Sequence, residues 1–194
     1  MRVDEITIAH AGGLDLSQVP RDGEIDFGFN HEILGYPMKK NKAGATLSIY
    51  YLLDADKVIA GVLCQPITVN NKNYLIVRGT QVDSKYRGKN LAILIYHSIK
   101  HNENVNIMSG HRQTAGGKQL WNQLSKAYDI AVMDTATGEV VSRDINDAYI
   151  NYYGDGDDTL VLVTESTFVE NTLVIPSLKI KKKSNPLIEK YYGI

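Results

Sequence analysis

The sequence is short of cysteine, of net charge and of long apolar runs, and each shortage removes a class of protein. One cysteine in 194 residues, Cys64, excludes an internal disulfide and any zinc cluster built on thiolates. It sits in the run Ile59-Ala60-Gly61-Val62-Leu63-Cys64, where a small buried side chain is expected. A formal charge of −1 and a pI near 6.5 provide no overall pull towards nucleic acid or a membrane surface. No apolar run approaches the roughly 20 residues that cross a bilayer. Met1-Arg2-Val3-Asp4-Glu5 places charges where a signal peptide needs an apolar stretch. The expectation is a soluble, unprocessed chain in a reducing cytoplasm, with no membrane partner. Internal repeats and low-complexity tracts are absent. Gly154-Asp155-Gly156-Asp157-Asp158 lacks the ligand spacing and closing Glu of a calcium loop, so no metal site is expected.

What is present is a succession of short apolar runs separated by turn residues, at a length that suits one domain with a full core. Residues 1–170 are read as that domain and 171–194 as a basic extension. Arg2 to His10 alternates as a first strand, ended by Ala11-Gly12-Gly13. Leu14 to Met38 has a weak pattern, with Glu24 to Phe29 read as a short strand and Asn30 to Leu34 as a helical turn. Thr46 to Asp54 and Lys57 to Ile67 flank Ala55-Asp56 as a hairpin, and Pro66 predicts that the second strand ends or bulges there. Val69 to Lys72 turns into a third strand at Tyr74, completing an antiparallel meander. Asn104 to Met108 is apolar enough for a buried strand returning parallel to it. A helix is expected over Lys118 to Tyr128, with Leu120, Trp121 and Leu124 on its apolar face. Asp129 to Met133 and Thr159 to Thr164 read as closing strands.

The stretch from Asn73 to Lys100 changes period part-way. Tyr74, Leu75, Ile76 and Val77 are strand formers, while Leu91, Leu94, Ile95, Ser98 and Ile99 recur on one side of a helix. Between them lies Tyr86-Arg87-Gly88-Lys89-Asn90. A strand entering a helix through such a turn presents free N–H groups and the positive end of the helix dipole, here flanked by Lys85, Arg87 and Lys89. This composition suits a phosphate or pyrophosphate, and it equally suits a plain βα turn that needs Gly for geometry and Lys for solubility.

Val82-Asp83-Ser84-Lys85-Tyr86-Arg87-Gly88-Lys89-Asn90-Leu91-Ala92 resembles the coenzyme A loop of the GNAT superfamily of acyl-CoA N-acyltransferases. The family pattern is Val-x-x-x-(Tyr/Phe)-(Arg/Gln)-x-x-Gly-x-(Gly/Ala). Arg87 takes the Arg/Gln position and Ala92 the final small one. Asn90 stands where the family usually has Gly, and it is also a residue type that caps helices. The resemblance covers about Thr46 to Thr164. It implies an α+β fold with a mixed, mostly antiparallel central sheet, helices on both faces and a β-loop-α-β unit that binds acetyl-CoA. It implies that backbone groups of Gln81, Val82 and Asp83 pair with the pantetheine arm, and that Arg87, Gly88, Lys89, Asn90, Leu91 and Ala92 hold the pyrophosphate. The implied activity is direct transfer of an acetyl group, in a ternary complex, to a primary amine on a small molecule or a protein.

Such a transfer needs a base for the amine and an acid for the departing thiolate. Where the family often has an Asn, a small residue and a Tyr in the second helix, the spacing here puts Thr114, Gly117 and Trp121, and an indole N–H is no usable acid. Tyr128, Ser125 or water is left for that role, with Trp121 read as core. The Tyr74 to Val82 strand carries no carboxylate, so His111, in the Gly-rich loop after the parallel strand, is the candidate base. Glu24, Asp26, His31 and Glu32, on the acceptor side, are further candidates. A cofactor loop without an evident base suits an enzyme whose amine arrives neutral. It also suits a protein that binds coenzyme A and a macromolecule without catalysis. In that second reading the lysines from Lys179 to Lys183, otherwise a solvated edge, engage a protein or a nucleic acid, the near-neutral total charge disfavouring the latter. A homodimer is compatible with the sequence.

Overall fold

Two-residue turns in left-handed backbone build the first half of the sheet. Leu34 and Gly35 (φ 54° and 84°) join β1 (Glu32–Ile33) to β2 (Tyr36–Lys42). Asn70 and Asn71 (φ 48° and 63°) join β4 (Lys57–Val69) to β5 (Lys72–Val82). Two central residues at positive φ give the turn whose twist matches that of the strands it connects. β3 (Ser48–Asp54) meets β4 across Ala55-Asp56, as the hairpin pattern predicts. The computed structural model describes residues 14–19, 31–110, 113–147 and 160–164. The strands expected at 2–10 and 24–29, the acidic turn at 154–158 and the extension at 171–194 lie outside the described residues.

Two expectations from the sequence are corrected here. Within the helical turn expected over Asn30 to Leu34, Glu32 and Ile33 are β1 and Leu34 belongs to its hairpin turn. β2 contributes one fully buried apolar residue, Met38, so it shows almost no alternation and owes its form to pairing with β3, from Met38 opposite Leu52 to Lys42 opposite Ser48. Pro66 neither ends nor bulges β4, whose register shifts fall at Leu63/Cys64 against β5 and at Leu52/Leu53 against β3. β3 starts at Ser48 opposite Cys64, so past that point β4 has an edge with no described strand beside it, and the missing N–H of a proline costs no ladder bond there.

β5 pairs on its second side with β6 (Asn106–Met108) in parallel, through the crossover helix α1 (Leu91–Glu103). β9 (Leu160–Thr164) lies between β6 and β7 (Ile130–Asp134), and β8 (Val140–Ser142) forms the far edge. The order is β1-β2-β3-β4-β5-β6-β9-β7-β8, with β5–β6 the one parallel pair among the described strands. This is the mixed, mostly antiparallel α+β sheet that was expected. α2 (Ala115–Leu124) is displaced from its expected span, Lys118 to Tyr128. It starts early because Thr114 caps it, the Gly117 N–H donating to Thr114 Oγ1 at 3.1 Å. It stops early where the N–H groups of Ala127 and Tyr128 both donate to the Leu124 carbonyl at 2.9 Å. β8 and the single turn α3 (Ile145–Asp147) had no expectation attached.

Strand alternation sorts the side chains into two faces. Leu75, Val77, Ile107, Val132 and Leu162 face α1 and α2 and bury Leu94, Ile95, Ile99, Trp121 and Leu124 with them. Tyr74, Ile76, Met108, Met133 and Val163 point the other way, and on that face Leu14 and Val19 cover Ile49, Tyr51 and Leu63. Both described long helices therefore cover one face, and the described cover of the second is the 14–19 segment. Full burial of Ile95 or Ile99 stabilises by about 1.5–3 kcal/mol each. Cys64 is buried as expected, and burial pushes its thiol far up.

The β7–β8 turn is tied to the β4–β5 turn. Asn70 Nδ2 donates to the Thr137 carbonyl at 2.8 Å, and a Cβ on Gly138 (φ 72°) would overlap that nitrogen. Gly138→Ala is expected to lower stability by about 1–3 kcal/mol, measured as a fall in the urea midpoint at unchanged slope.

Candidate functional site

β6 accompanies β5 only where Tyr74, Leu75 and Ile76 face Asn106, Ile107 and Met108. Beyond Ile76, β5 runs on to Val82 with β4 as its sole partner among the described residues. The pairing decides which backbone groups look outward. The Asp83 N–H donates to the Ile59 carbonyl at 2.8 Å, and alternation along an antiparallel ladder then turns the groups of Gln81 to β4 as well. Thr80 presents N–H and C=O to the open edge and Val82 its N–H, the Val82 carbonyl accepting from Arg87 Nε at 3.4 Å. Of the three residues expected to serve an extended arm, Gln81 and Asp83 turn their N–H groups to β4 and Val82 turns its own to the open edge.

After Val82 the chain makes one tight turn, Ser84–Tyr86, capped by Asp83. The Asp83 carboxylate pairs with Lys57 at 2.5 Å and accepts the Lys85 N–H at 2.9 Å. Lys57 first, and the Lys85 amide after it, hold this carboxyl below its usual range. The Tyr86 hydroxyl donates to Asp54 at 2.5 Å, a bond that pushes the phenol up to about 12. Both acids beside the turn are therefore engaged. Lys85, Arg87 and Lys89 take part in neither ion pair found among the described residues.

From Gly88 onward most of the amides are free. The N–H groups of Tyr86 and Arg87 donate to the carbonyls of Asp83 and Ser84, at 2.9 and 3.4 Å, and the next such bond runs from Leu94 to the Asn90 carbonyl at 3.1 Å. Those of Gly88, Asn90, Leu91, Ala92 and Ile93 donate to nothing among the described residues, while the Arg87-Gly88 turn aims the Lys89 N–H back at the preceding carbonyls. Gly88 and Asn90 are left-handed (φ 81° and 57°), and left-handed points in such a turn let successive N–H groups converge on one anion. Asn90 was expected as a side-chain cap, yet it makes no capping bond. Its place in the turn is set by backbone, since Asn enters the left-handed region more readily than other residues with a Cβ, which explains how it stands at a glycine position. Leu91, 1% exposed, anchors the turn in the core. The first turn of α1 holds no acid, whereas Lys100 and His101 lie in its last, so the N-terminal end of the dipole is the one left uncompensated.

The structure places the other candidates elsewhere. His111, Glu24 and Asp26 lie outside the described residues. Trp121 is core, 2% exposed, with its ring edge-on to Tyr96 at 6.3 Å, and the Tyr96 hydroxyl bonds Thr80 Oγ1 at 2.8 Å. Tyr128 is not brought to the turn. It is buried against the second half of α1, its hydroxyl bonded to His97 Nδ1 and its ring 5.5 Å from Lys100 Nζ, and burial pushes the phenol up to about 12. His97 lies about 9 Å along the helix axis from Leu91 at ordinary helical rise. Ser125 Oγ donates to the Asn122 carbonyl at 2.9 Å. Glu32 is exposed on β1, and His31 Nε2 bonds Ser98 Oγ at 2.8 Å. Sequence reading missed Tyr36, Asp54 and Lys57, which reach the turn from the ends of other strands, and no local pattern marks them.

Neither a protein-family model nor a curated protein matches the chain. Solved structures do. A possible acetyltransferase from Clostridium difficile is 21% identical over 42% of this chain, which spans 59% of that protein, with a TM-score of 0.35. A GNAT family acetyltransferase from Elizabethkingia anophelis, with acetyl-CoA bound, is 10% identical over 68% of this chain and 98% of its own, with a TM-score of 0.41. The chain is similar to GNAT-family acetyltransferases. A histone acetyltransferase and related acetyltransferase from Corynebacterium glutamicum adds 16% identity over 63% of this chain and 66% of its own, with a TM-score of 0.35.

The second half of α1 carries a separate cluster in which the His97 and His101 rings stack at 6.2 Å, close to His31. Burial first, and the neighbouring imidazoles second, hold His31 and His97 below the usual 6.5. A histidine whose folded pKa is depressed contributes stability that is full above its unfolded pKa and is lost as pH falls through the folded value. The urea midpoint is expected to decline as pH drops from about 7 to about 5, and less steeply in a variant carrying His31→Asn and His97→Asn. Equal slopes in the two proteins would refute the assignment.

Proposed function

We propose that the chain is an acetyl-CoA-dependent N-acetyltransferase that transfers its acyl group directly to a primary amine. The observation that carries this reading is the set of five free amides between Gly88 and Ile93, following a strand whose outer edge beyond Ile76 has no partner among the described residues. A diphosphate suits the amides, and an extended arm with amide groups of its own suits the edge at Thr80 and Val82. The residues present fit such a ligand. The Asn90 side chain caps no amide, and both acids near the turn are engaged elsewhere. Bound there, the cofactor supplies an acyl thioester. The chain's part is to hold the diphosphate with these amides, with Lys85, Arg87 and Lys89, and with the roughly half elementary charge at the helix start.

Trp121 favours a second reading, a coenzyme A-binding protein without turnover. The indole occupies the place where the resemblance calls for an acid, and the phenol of Tyr128 is held by His97. Release of free thiol from acetyl-CoA in the presence of amines separates the two.

Acetyl-CoA at a hundredfold excess over its Kd is expected to stabilise the protein by about 2.7 kcal/mol, a rise of several degrees in Tm. Gly88→Glu sets a carboxylate among the free amides and strains a left-handed position, and it is expected to weaken binding by about tenfold or more. Absence of any shift at millimolar acetyl-CoA sinks the reading.

A further inference from the structure

We propose that Tyr36, 53 residues upstream of Lys89, is a positioning residue for the cofactor's phosphates and acts by holding the Lys89 ammonium beside the free amides. The proposal rests on the reading of the turn as a coenzyme A site. Lys89 Nζ donates to the Tyr36 hydroxyl at 3.1 Å and lies 5.5 Å from the Tyr36 ring centroid and 5.1 Å from that of Tyr86. The two rings are 5.9 Å apart at 82°, and the ammonium sits in the corner between the Tyr36 hydroxyl and the Tyr86 ring. Tyr86 is itself held by its bond to Asp54. No carboxylate pairs with Lys89 among the described residues.

The charge is thus located without being neutralised. A lysine left in water gives up its rotamer freedom when it grips an anion, and the aromatic corner removes that freedom before the ligand arrives. Lys89 stands between Gly88 and Asn90, in the middle of the free amides, so the cation held in place belongs to the same turn as the donors. By this contact the β1–β2 hairpin, three strands away from β5 in the sheet, becomes a wall of the nucleotide site.

Calorimetric titration with coenzyme A tests this on wild type, Tyr36→Phe, Tyr36→Leu, Lys89→Met and the Tyr36→Leu/Lys89→Met double variant, at about 0.05 M and about 0.2 M salt. Lys89→Met and Tyr36→Leu are each expected to weaken binding by about fivefold and to flatten its salt dependence, Tyr36→Phe by about twofold. The double variant is expected to bind no more weakly than Lys89→Met alone. A Tyr36→Leu protein that binds like wild type, or losses that multiply in the double variant, overturns the proposal. Should Tyr36→Leu fail to fold, Tyr36→Phe decides: its loss must vanish in a Lys89→Met background. Wild type that binds no coenzyme A overturns the reading of the turn, whereas wild-type binding with unaffected Tyr36 variants overturns this proposal alone.

Discussion

β5 has β4 along one side for its whole length and β6 along the other for three residues, and the rest of the site depends on this inequality. A strand edge left without a partner exposes donors and acceptors that something must satisfy. Here the section with no described partner, at Thr80 and Val82, leads through one tight turn into a helix whose first amides are also free. Edge and helix start would each be ordinary alone. In sequence they give two sets of backbone donors, one on the strand edge and one at the helix start, joined by the Ser84–Tyr86 turn.

The charge around those donors is arranged by subtraction. Asp83 and Asp54 lie beside the turn and would oppose an anion, but Lys57 and Tyr86 occupy them. What remains is three lysine and arginine side chains and an uncompensated dipole. The other end of α1 is compensated twice, by Lys100 and His101 and by Asn104, whose left-handed backbone (φ 48°) ends the helix. Glu103 at that end is paired with Lys40 at 2.7 Å and accepts the Tyr50 hydroxyl at 3.2 Å, which pins α1 to β2 and β3. The helix is therefore fastened at its C-terminal end and open at its N-terminal one.

Much of this was legible where the signal is local. The Ala55-Asp56 and Asn70-Asn71 turns, the buried Cys64, the parallel return of β6 and the core role of Trp121 follow from patterns a few residues long. β2 was not legible, because a strand with a single fully buried apolar side chain is defined by its neighbour. The ends of α2 shifted because a cap at Thr114 and a tight turn after Leu124 outweighed apolar spacing. Tyr128, expected inside α2, lies beyond its end for a related reason: closeness in sequence to α2 says nothing about which stretch of α1 its ring meets.

The turn from Val82 to Ala92, with its glycine, its cations and its change of period, was determined by the sequence alone, since each of those properties belongs to adjacent residues. Tertiary structure decided which amides stay free, which strand residues face outward and which distant side chains, Tyr36, Asp54 and Lys57, come to the turn. Those outcomes depend on pairing register and on the crossing of α1 over the sheet, and both are set by contacts between segments that no local pattern connects.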